Sequence, residues 1–264
     1  MTHPVPFVRE AGAGRAVVCI HSNASSSAQW RALMDLLAPS FHVLAPDSYG
    51  SGKSPEWPSD RVISLSDEVA LLEPLLDRAG SPLSLVGHSY GAAVALMAAM
   101  ANPGRVRSLV LYEPTLFGLI DAEGAPPNAA DGIRNAVAAA GVALDAGDRD
   151  QAAACFIDYW MGAGSWHQTP ALRRPAIATS VVNVRRWEHA LFTEPTPLAA
   201  FRALDIPVLY LVGKRSTASA HGVARLLAGA LPRVEYVEFD DLGHMGPVTH
   251  PDVVNPVIAR FLAA

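Results

Sequence analysis

The chain has 264 residues, of which 50% are hydrophobic and 17% are charged, so we expect a folded globular protein rather than a disordered one. The formal net charge of −5 is mild and argues against nucleic acid as an electrostatic partner. The two cysteines do not have metal-ligand spacing, which predicts a metal-free protein and favours the reducing cytoplasm. No apolar run is typical of a membrane span or a signal peptide, so we expect a cytoplasmic protein that does not bind membranes.

The N-terminal part of the chain alternates between predicted strands and predicted helices. Residues 5–10 and 16–20 are predicted strands, and the glycine-rich turn between them predicts an antiparallel pair. A helix over 28–37, a strand over 41–45 and a helix over 65–79 follow. This alternation predicts a mostly parallel sheet with helices on both of its faces.

Ser89 lies where a predicted strand, 83–86, gives way to a predicted helix, 92–100. Gly87 and Gly91 flank it at the spacing G-x-S-x-G. Such a strand-to-helix turn is sharp and exposes the serine hydroxyl, while the helix N-terminus offers backbone donors to a developing oxyanion. The pattern therefore predicts that Ser89 is a nucleophile.

Between the predicted strands 106–112 and 207–213, the chain carries helical patterns over 130–146, 150–161 and 170–192 and no convincing strand. The remaining elements are a helix near 219–230, a strand at 233–239 and a helix near 252–263. We therefore predict a core domain formed by residues 1–115 and 201–264, with residues 116–200 as an all-helical cap. The cap is expected over the C-terminal edge of the sheet, where open α/β sheets bind ligands.

Four segments together resemble the α/β-hydrolase fold: HSNASSS at 21–27, PDSYGSGKSP at 46–55, GHSYG at 87–91 and GHMGPVTHP at 243–251. The likeness runs from about residue 15 to 262. Within this fold, the chain is similar to cofactor-free hydrolases that carry a helical cap after the sixth strand. The resemblance implies a serine nucleophile, a histidine near the C-terminus, an acid supplied late in the sheet and no cofactor.

His244 lies in a glycine-flanked polar loop after the last predicted strand. A histidine there can accept the Ser89 proton and return it to the leaving group. An oxyanion hole requires two backbone donors, and Tyr90, directly after the nucleophile, is expected to supply one. The resemblance implies that Asn23 supplies the other, although Ser22 departs from the usual glycine at its position.

Other residues of these motifs are interpreted as structural. His88 is expected to turn away from the nucleophile into packing, and His21 and Asp47 are expected to brace their loops. Aromatic side chains at helical spacing are more often core than pocket, and four tryptophans are interpreted in that way: Trp30, Trp160, Trp166 and Trp187.

The acid of the triad departs from the commoner family pattern. Many relatives carry an Asp after the strand that corresponds to 207–213, where this chain has Ser216. Glu113, at the end of the strand 106–112, offers a carboxylate one strand nearer the nucleophile, and some family members place their acid there. Asp241 is a weaker candidate because it shares the loop of the histidine, and a dyad without any acid stays open.

These residues favour a serine hydrolase that cleaves a carboxylic ester or related acyl compound of small size through an acyl-enzyme on Ser89. The alternatives are carbon–carbon bond hydrolysis by the same triad and a non-catalytic, ligand-binding member of the fold. A haloalkane dehalogenase is disfavoured because that chemistry needs Asp and Trp where this chain has Ser89 and Tyr90. We expect a monomer or a homodimer, with the cap setting a substrate that the sequence does not identify.

Overall fold

The computed structural model describes residues 5–264 of the chain. Seven strands form its sheet: β1 Val8–Ala11, β2 Arg15–Ile20, β3 Phe41–Pro46, β4 Leu83–His88, β5 Val106–Tyr112, β6 Val208–Gly213 and β7 Val234–Phe239. Their spatial order is β1-β3-β2-β4-β5-β6-β7, and every neighbouring pair is parallel except β1 with β3. The predicted mostly parallel sheet is therefore confirmed.

The first strand does not pair with the second, so the predicted antiparallel pair is wrong. β1 lies at the sheet edge against β3, with Val8 opposite Pro46. β2 is instead enclosed by two parallel partners, because Val17 is opposite Val43 on one side and Ser84 on the other. The apolar and buried β2 suits the sheet interior, whereas β1 is half-exposed and carries the charged residues that suit an edge.

Helices cover both faces of the sheet. Their bounds are α1 Arg31–Leu37, α2 Leu65–Ala79, α3 Tyr90–Ala101, α4 Gly118–Glu123, α5 Asp131–Asp145, α6 Arg149–Met161, α7 Ser165–Gln168, α8 Arg174–Val181, α9 Val184–Phe192, α10 Ala218–Ala230, α11 Gly246–Thr249 and α12 Pro251–Ala263. Helices α2, α3 and α10 pack on one face through Leu72, Leu96 and Leu227. Helices α1 and α12 pack on the other through Leu33 and Ile258.

The helix that follows the proposed nucleophile is buried on nearly all sides. Its sequence, YGAAVALMAAMA, consists mainly of small apolar residues, and Ala92, Ala95 and Ala98 are fully buried. Small side chains allow this helix to approach the sheet closely, and its alanines favour the helical conformation. The start of α3 is therefore fixed rigidly beside the end of β4.

The interval between β5 and β6 contains helices α4–α9 and no strand, and all of it lies within the described part of the chain. It follows the strand Val106–Tyr112, after which the sequence places a strand-free helical interval. Its treatment as a separate cap, 116–200, stays a prediction. In the part of the chain that the structure describes, no helix is both long enough and apolar enough to span a bilayer.

Candidate active site

Ser89 occupies the turn between β4 and α3 with a φ of 57° and a ψ of −120°. A positive φ is rare for a residue with a side chain and costs conformational energy, which folded proteins tolerate chiefly at functional sites. The turn is held in place because the Ser89 N–H donates to the Tyr112 carbonyl oxygen, at 2.9 Å, on the neighbouring strand. The strand–turn–helix context predicted from the sequence is therefore present.

The two flanking glycines are required by close backbone approach. A Cβ on Gly91 would overlap the backbone carbonyl oxygens of Ile20 and His21, and one on Gly87 would overlap the backbone of Ala92. Substituting either glycine would push α3 away from the sheet. These contacts explain why the serine is bracketed by glycine on both sides.

Ser89, His244 and Glu113 form a continuous hydrogen-bonded chain. The Ser89 Oγ lies 2.9 Å from Nε2 of His244, and Nδ1 of His244 lies 2.6 Å from Oε2 of Glu113. The histidine and the glutamate are buried, and the glutamate has no exposed surface. With the Nδ1 proton directed to the carboxylate, Nε2 is left as the acceptor for the serine hydroxyl.

The carboxylate of Glu113 is held by two further donors. Its Oε1 accepts hydrogen bonds from the Gly213 N–H at 2.7 Å and from the Ser216 hydroxyl at 2.6 Å. Glu113 also has a positive φ of 47°, a second strained residue at this edge of the sheet. Ser216, at the position where many relatives carry an aspartate, thus contacts the carboxylate that follows the neighbouring strand.

Asp241, the weaker acid candidate, does not approach the histidine ring. Its side chain is 79% exposed and forms an ion pair with Arg215. The structure therefore brings Glu113, and not Asp241, to His244.

A buried hydrogen-bond network positions the loop that carries the histidine. His88 donates from Nε2 to the His244 backbone oxygen, at 2.8 Å, and accepts at Nδ1 from Gln29 Nε2 at 3.0 Å. The Tyr112 hydroxyl donates to the neighbouring Gly243 oxygen at 2.8 Å. Burial holds the pKa of His88 well below its ordinary value. His88 is therefore a neutral scaffold residue, as its sequence context predicted.

His21 and Asp47 brace the two loops beside the nucleophile. Nε2 of His21 accepts from the Ser48 N–H at 3.0 Å. The Asp47 carboxylate accepts from the backbone N–H groups of Ser27, at 2.6 Å, and Lys53, at 2.8 Å. Both side chains are buried and lie in the structural roles that the sequence predicted.

Two backbone groups lie where an oxyanion hole would form. Tyr90 is the first residue of α3, so its N–H has no partner within the helix and lies at the positive end of the helix dipole. Asn23 lines the same cavity as Ser89. Their roles as donors to an oxyanion stay predictions.

Ser89 lines a cleft beneath the helical interval, and the empty space in this cleft is about 320 Å³ when the part open to solvent is included. Most of its wall is apolar and comes from α5, α6 and α9. The lining residues are Asn23, Ser89, Thr115, Phe117, Ile133, Val137, Phe156, Trp160, Val184, Trp187, Glu188, Leu191 and Phe192.

The interpretation of the tryptophans as core residues misses part of the site. The Trp160 ring stacks on the His244 ring, with centroids 3.8 Å apart and planes inclined by 22°. Trp187 lines the cavity, whereas Trp30 and Trp166 are completely buried. Helical spacing marks a buried face in either case, so no local signal separates a cavity-lining tryptophan from a core one.

Across residues 5–264, no group of three or more His, Cys, Asp or Glu side chains is placed to hold a metal ion. Both Cys19 and Cys155 are free thiols. The expectation that the protein works without a cofactor stays a prediction.

Comparison with known proteins decides the family. A family model of the alpha/beta hydrolase fold matches residues 15–251. The chain belongs to the α/β-hydrolase family. The resemblance seen in its sequence motifs is thereby confirmed, as is the fold class.

Within this family, the chain is similar to enzymes with different substrates. It is 29% identical to 2-hydroxymuconate semialdehyde hydrolase of Pseudomonas sp. (strain CF600) over 97% of this chain and 89% of that protein. It is 39% identical to the lipase LipV of Mycobacterium tuberculosis over only 101 residues, so it spans little more than a third, 37%, of that relative. A haloalkane dehalogenase of Bradyrhizobium diazoefficiens is 34% identical over 40% of this chain and 34% of that protein.

Solved structures agree on the fold over nearly the whole chain. An α/β hydrolase from Sphaerobacter thermophilus is 26% identical, with a TM-score of 0.75 over 97% of this chain and 95% of that one. The enol-lactonase of Burkholderia xenovorans has a TM-score of 0.78 at 17% identity, over 98% and 96% of the two chains. The second likeness shows the fold alone.

Proposed function

We propose that this α/β hydrolase cleaves carboxylic esters or related acyl compounds through an acyl-enzyme on Ser89. The observation that carries the proposal is the buried chain from the Ser89 hydroxyl through His244 to Glu113. The Ser89 end of this chain lines a mostly apolar cleft that also carries a few polar groups, as is typical of small-molecule sites. The proposed partner is therefore a small-molecule substrate.

The geometry supports a two-step reaction. As Ser89 Oγ attacks the carbonyl carbon, its proton passes to Nε2 of His244, and Glu113 offsets the charge of the resulting imidazolium. The N–H groups of Tyr90 and Asn23 are proposed to stabilise the oxyanion. The imidazolium then protonates the leaving group, and water deacylates the serine with His244 as general base.

The helical interval, 116–200, is proposed to act as a cap that shapes the substrate cavity. Three of its helices contribute cavity walls, and Trp160 from α6 covers one face of the His244 ring. Residues 1–115 and 201–264 are then the core domain that carries all three triad side chains.

Carbon–carbon bond hydrolysis is the second candidate function. The observation that favours it is the nearly full-length similarity to a hydrolase of 2-hydroxymuconate semialdehyde. That compound has no ester bond, so its hydrolysis must break a carbon–carbon bond. The dehalogenase alternative is not favoured, because the nucleophile position holds Ser89 and is followed by Tyr90.

Covalent labelling tests the proposal. A fluorophosphonate probe is expected to label Ser89, and Ser89→Ala is expected to remain folded while losing about a thousandfold or more in turnover of chromogenic acyl esters. Ser66→Ala, which changes an exposed serine on α2, is the matched control. A label on another residue, or undiminished turnover by Ser89→Ala, would contradict the proposal. Parallel assays with 2-hydroxymuconate semialdehyde separate the two candidate functions.

A further inference from the structure

Glu188 places a carboxylate on the wall of the mostly apolar cavity above Ser89. It belongs to α9 and is half-buried between apolar neighbours that line the same space, such as Trp187 and Leu191. The three other polar lining residues are uncharged. Glu188 is thus the only charged group among the residues that line the cavity.

The carboxylate of Glu188 has no hydrogen-bond or ion-pair partner within residues 5–264. Two arginines nevertheless lie near enough to influence it. Arg134 is bound to two other carboxylates, at 2.7 and 2.9 Å, and Arg185 is bound to Asp145 at 2.8 Å. The cations that would neutralise Glu188 are therefore engaged elsewhere.

A second, independent polar group in the cavity also lacks a partner. The Thr115 hydroxyl is buried, lines the cavity beside Ser89, and makes no hydrogen bond in the described part of the chain. Thr115 itself is only 1% exposed. A buried hydroxyl without a protein partner costs free energy, which a hydrogen bond to a polar atom of a bound ligand would recover.

The surroundings of Glu188 make a ligand donor favourable. Burial raises the pKa of its carboxyl, while Arg134, Arg185 and His189 act in the opposite direction. A partly desolvated carboxylate gains more from a charged donor than an exposed one does. The negative charge of Glu188 also repels a carboxylate on the substrate.

We propose that Glu188 is a substrate-binding residue that selects substrates whose apolar arm carries a hydrogen-bond donor, either an ammonium or a hydroxyl group. The inference rests on the proposed ester hydrolysis and narrows its substrate class. It disfavours substrates whose arm carries a carboxylate. Thr115 binds a further polar atom of the same substrate.

The experiment compares four ethyl esters of one chain length: hexanoate, 6-aminohexanoate, 6-hydroxyhexanoate and the adipate monoester. A second series of esters carries the same terminal groups on the alcohol portion instead. Comparison of the two series identifies which half of the ester enters the cavity. In the wild type, kcat/KM for the amino ester is expected to exceed that of hexanoate by about tenfold, and the adipate monoester is expected to fall below it. Glu188→Gln should abolish the amine preference and relieve the discrimination against adipate. Glu188→Met should also abolish any hydroxyl preference.

Glu235→Gln, at an exposed position on β7, is the matched control and should leave every ratio unchanged. Equal ratios for the wild type and Glu188→Gln in both ester series would overturn the inference. A binding assay in Ser89→Ala makes the test independent of turnover. It measures how hexylammonium and hexanoate quench the fluorescence of the tryptophans that line the cavity. If hexylammonium binds to Ser89→Ala and no longer binds when Glu188→Gln is added, the inference is supported even if the enzyme hydrolyses no ester. In that case only the proposed function fails.

Discussion

Replacing Glu113 with glutamine is expected to remove the negative charge of the proposed triad and to reverse the direction of its hydrogen bonds. The Gly213 N–H and the Ser216 hydroxyl both donate to one carboxylate oxygen, at 2.7 and 2.6 Å. In Glu113→Gln, these donors fix the amide oxygen on their side and turn the amide NH2 toward His244. The histidine must then accept at Nδ1 and carry its proton on Nε2, so it no longer accepts from Ser89.

The loss of charge sets the size of the effect. Two unit charges about 4 Å apart interact by about 4 kcal/mol when the effective dielectric constant is about 20, which corresponds to about a thousandfold in rate. The pair here is buried and its atoms lie 2.6 Å apart, so screening by solvent is small. We therefore expect kcat to fall by about a thousandfold in Glu113→Gln, with little change in KM.

Steady-state kinetics with a chromogenic ester would measure this loss, and the thermal unfolding midpoint would establish that the variant is folded. Asp241→Asn, which neutralises an exposed carboxylate three residues before His244, is the matched control and should keep its activity. Ser216→Asp on the Glu113→Gln background is expected to restore part of the rate, because it supplies a carboxylate from the neighbouring strand. Wild-type turnover by Glu113→Gln would refute the reasoning.

Two further predictions concern buried groups around the nucleophile. Burial raises the pKa of Glu68 from 4.5 to about 8, so the folded state holds a proton that the unfolded state releases between these values. Stability should therefore fall by up to about 5 kcal/mol as the pH rises across this window, and thermal melts of Glu68→Gln should show a flatter pH profile than those of the wild type or Glu235→Gln. Trp160→Leu removes the ring that stacks on His244, so kcat should fall by about three- to thirtyfold, as expected for a lost cation–π contact with the imidazolium. An unchanged kcat with a raised KM would instead assign Trp160 to substrate binding alone.

The meeting of Ser89, Glu113 and His244, which form the proposed triad, could be predicted from the sequence because each residue follows a recognisable strand. Ser89 follows β4, Glu113 follows β5, and His244 lies in the loop after β7. Parallel strands bring their carboxyl ends to one edge of the sheet, so we expect the three residues that follow these strands to lie at that edge. The predicted pairing of β1 with β2 was wrong because a local turn does not determine which distant strand becomes the neighbour of β1.

The cavity wall was beyond sequence reasoning. Trp160, Trp187 and Glu188 lie on helices whose buried faces are evident from spacing, but spacing does not say whether such a face meets another helix or an open cavity. That depends on how α5, α6 and α9 pack over the sheet. Glu188 is the clearest case, because a glutamate on a helix is normally interpreted as a solvated side chain.

The position of the acid follows from the neighbouring placement of β5 and β6. Tyr112, the last residue of β5, pairs with Leu211, two residues before β6 ends at Gly213. Both strands therefore end at the same edge of the sheet, and the Ser216 side chain that follows β6 reaches the Glu113 carboxylate that follows β5. With Glu113 in place, an aspartate at 216 would set two carboxylates within hydrogen-bond distance, and one of them would have to take up a proton. Serine avoids this conflict and donates to the carboxylate instead. An aspartate at 216 should therefore be useful only when Glu113 is neutral, which is why the rescue requires the glutamine background.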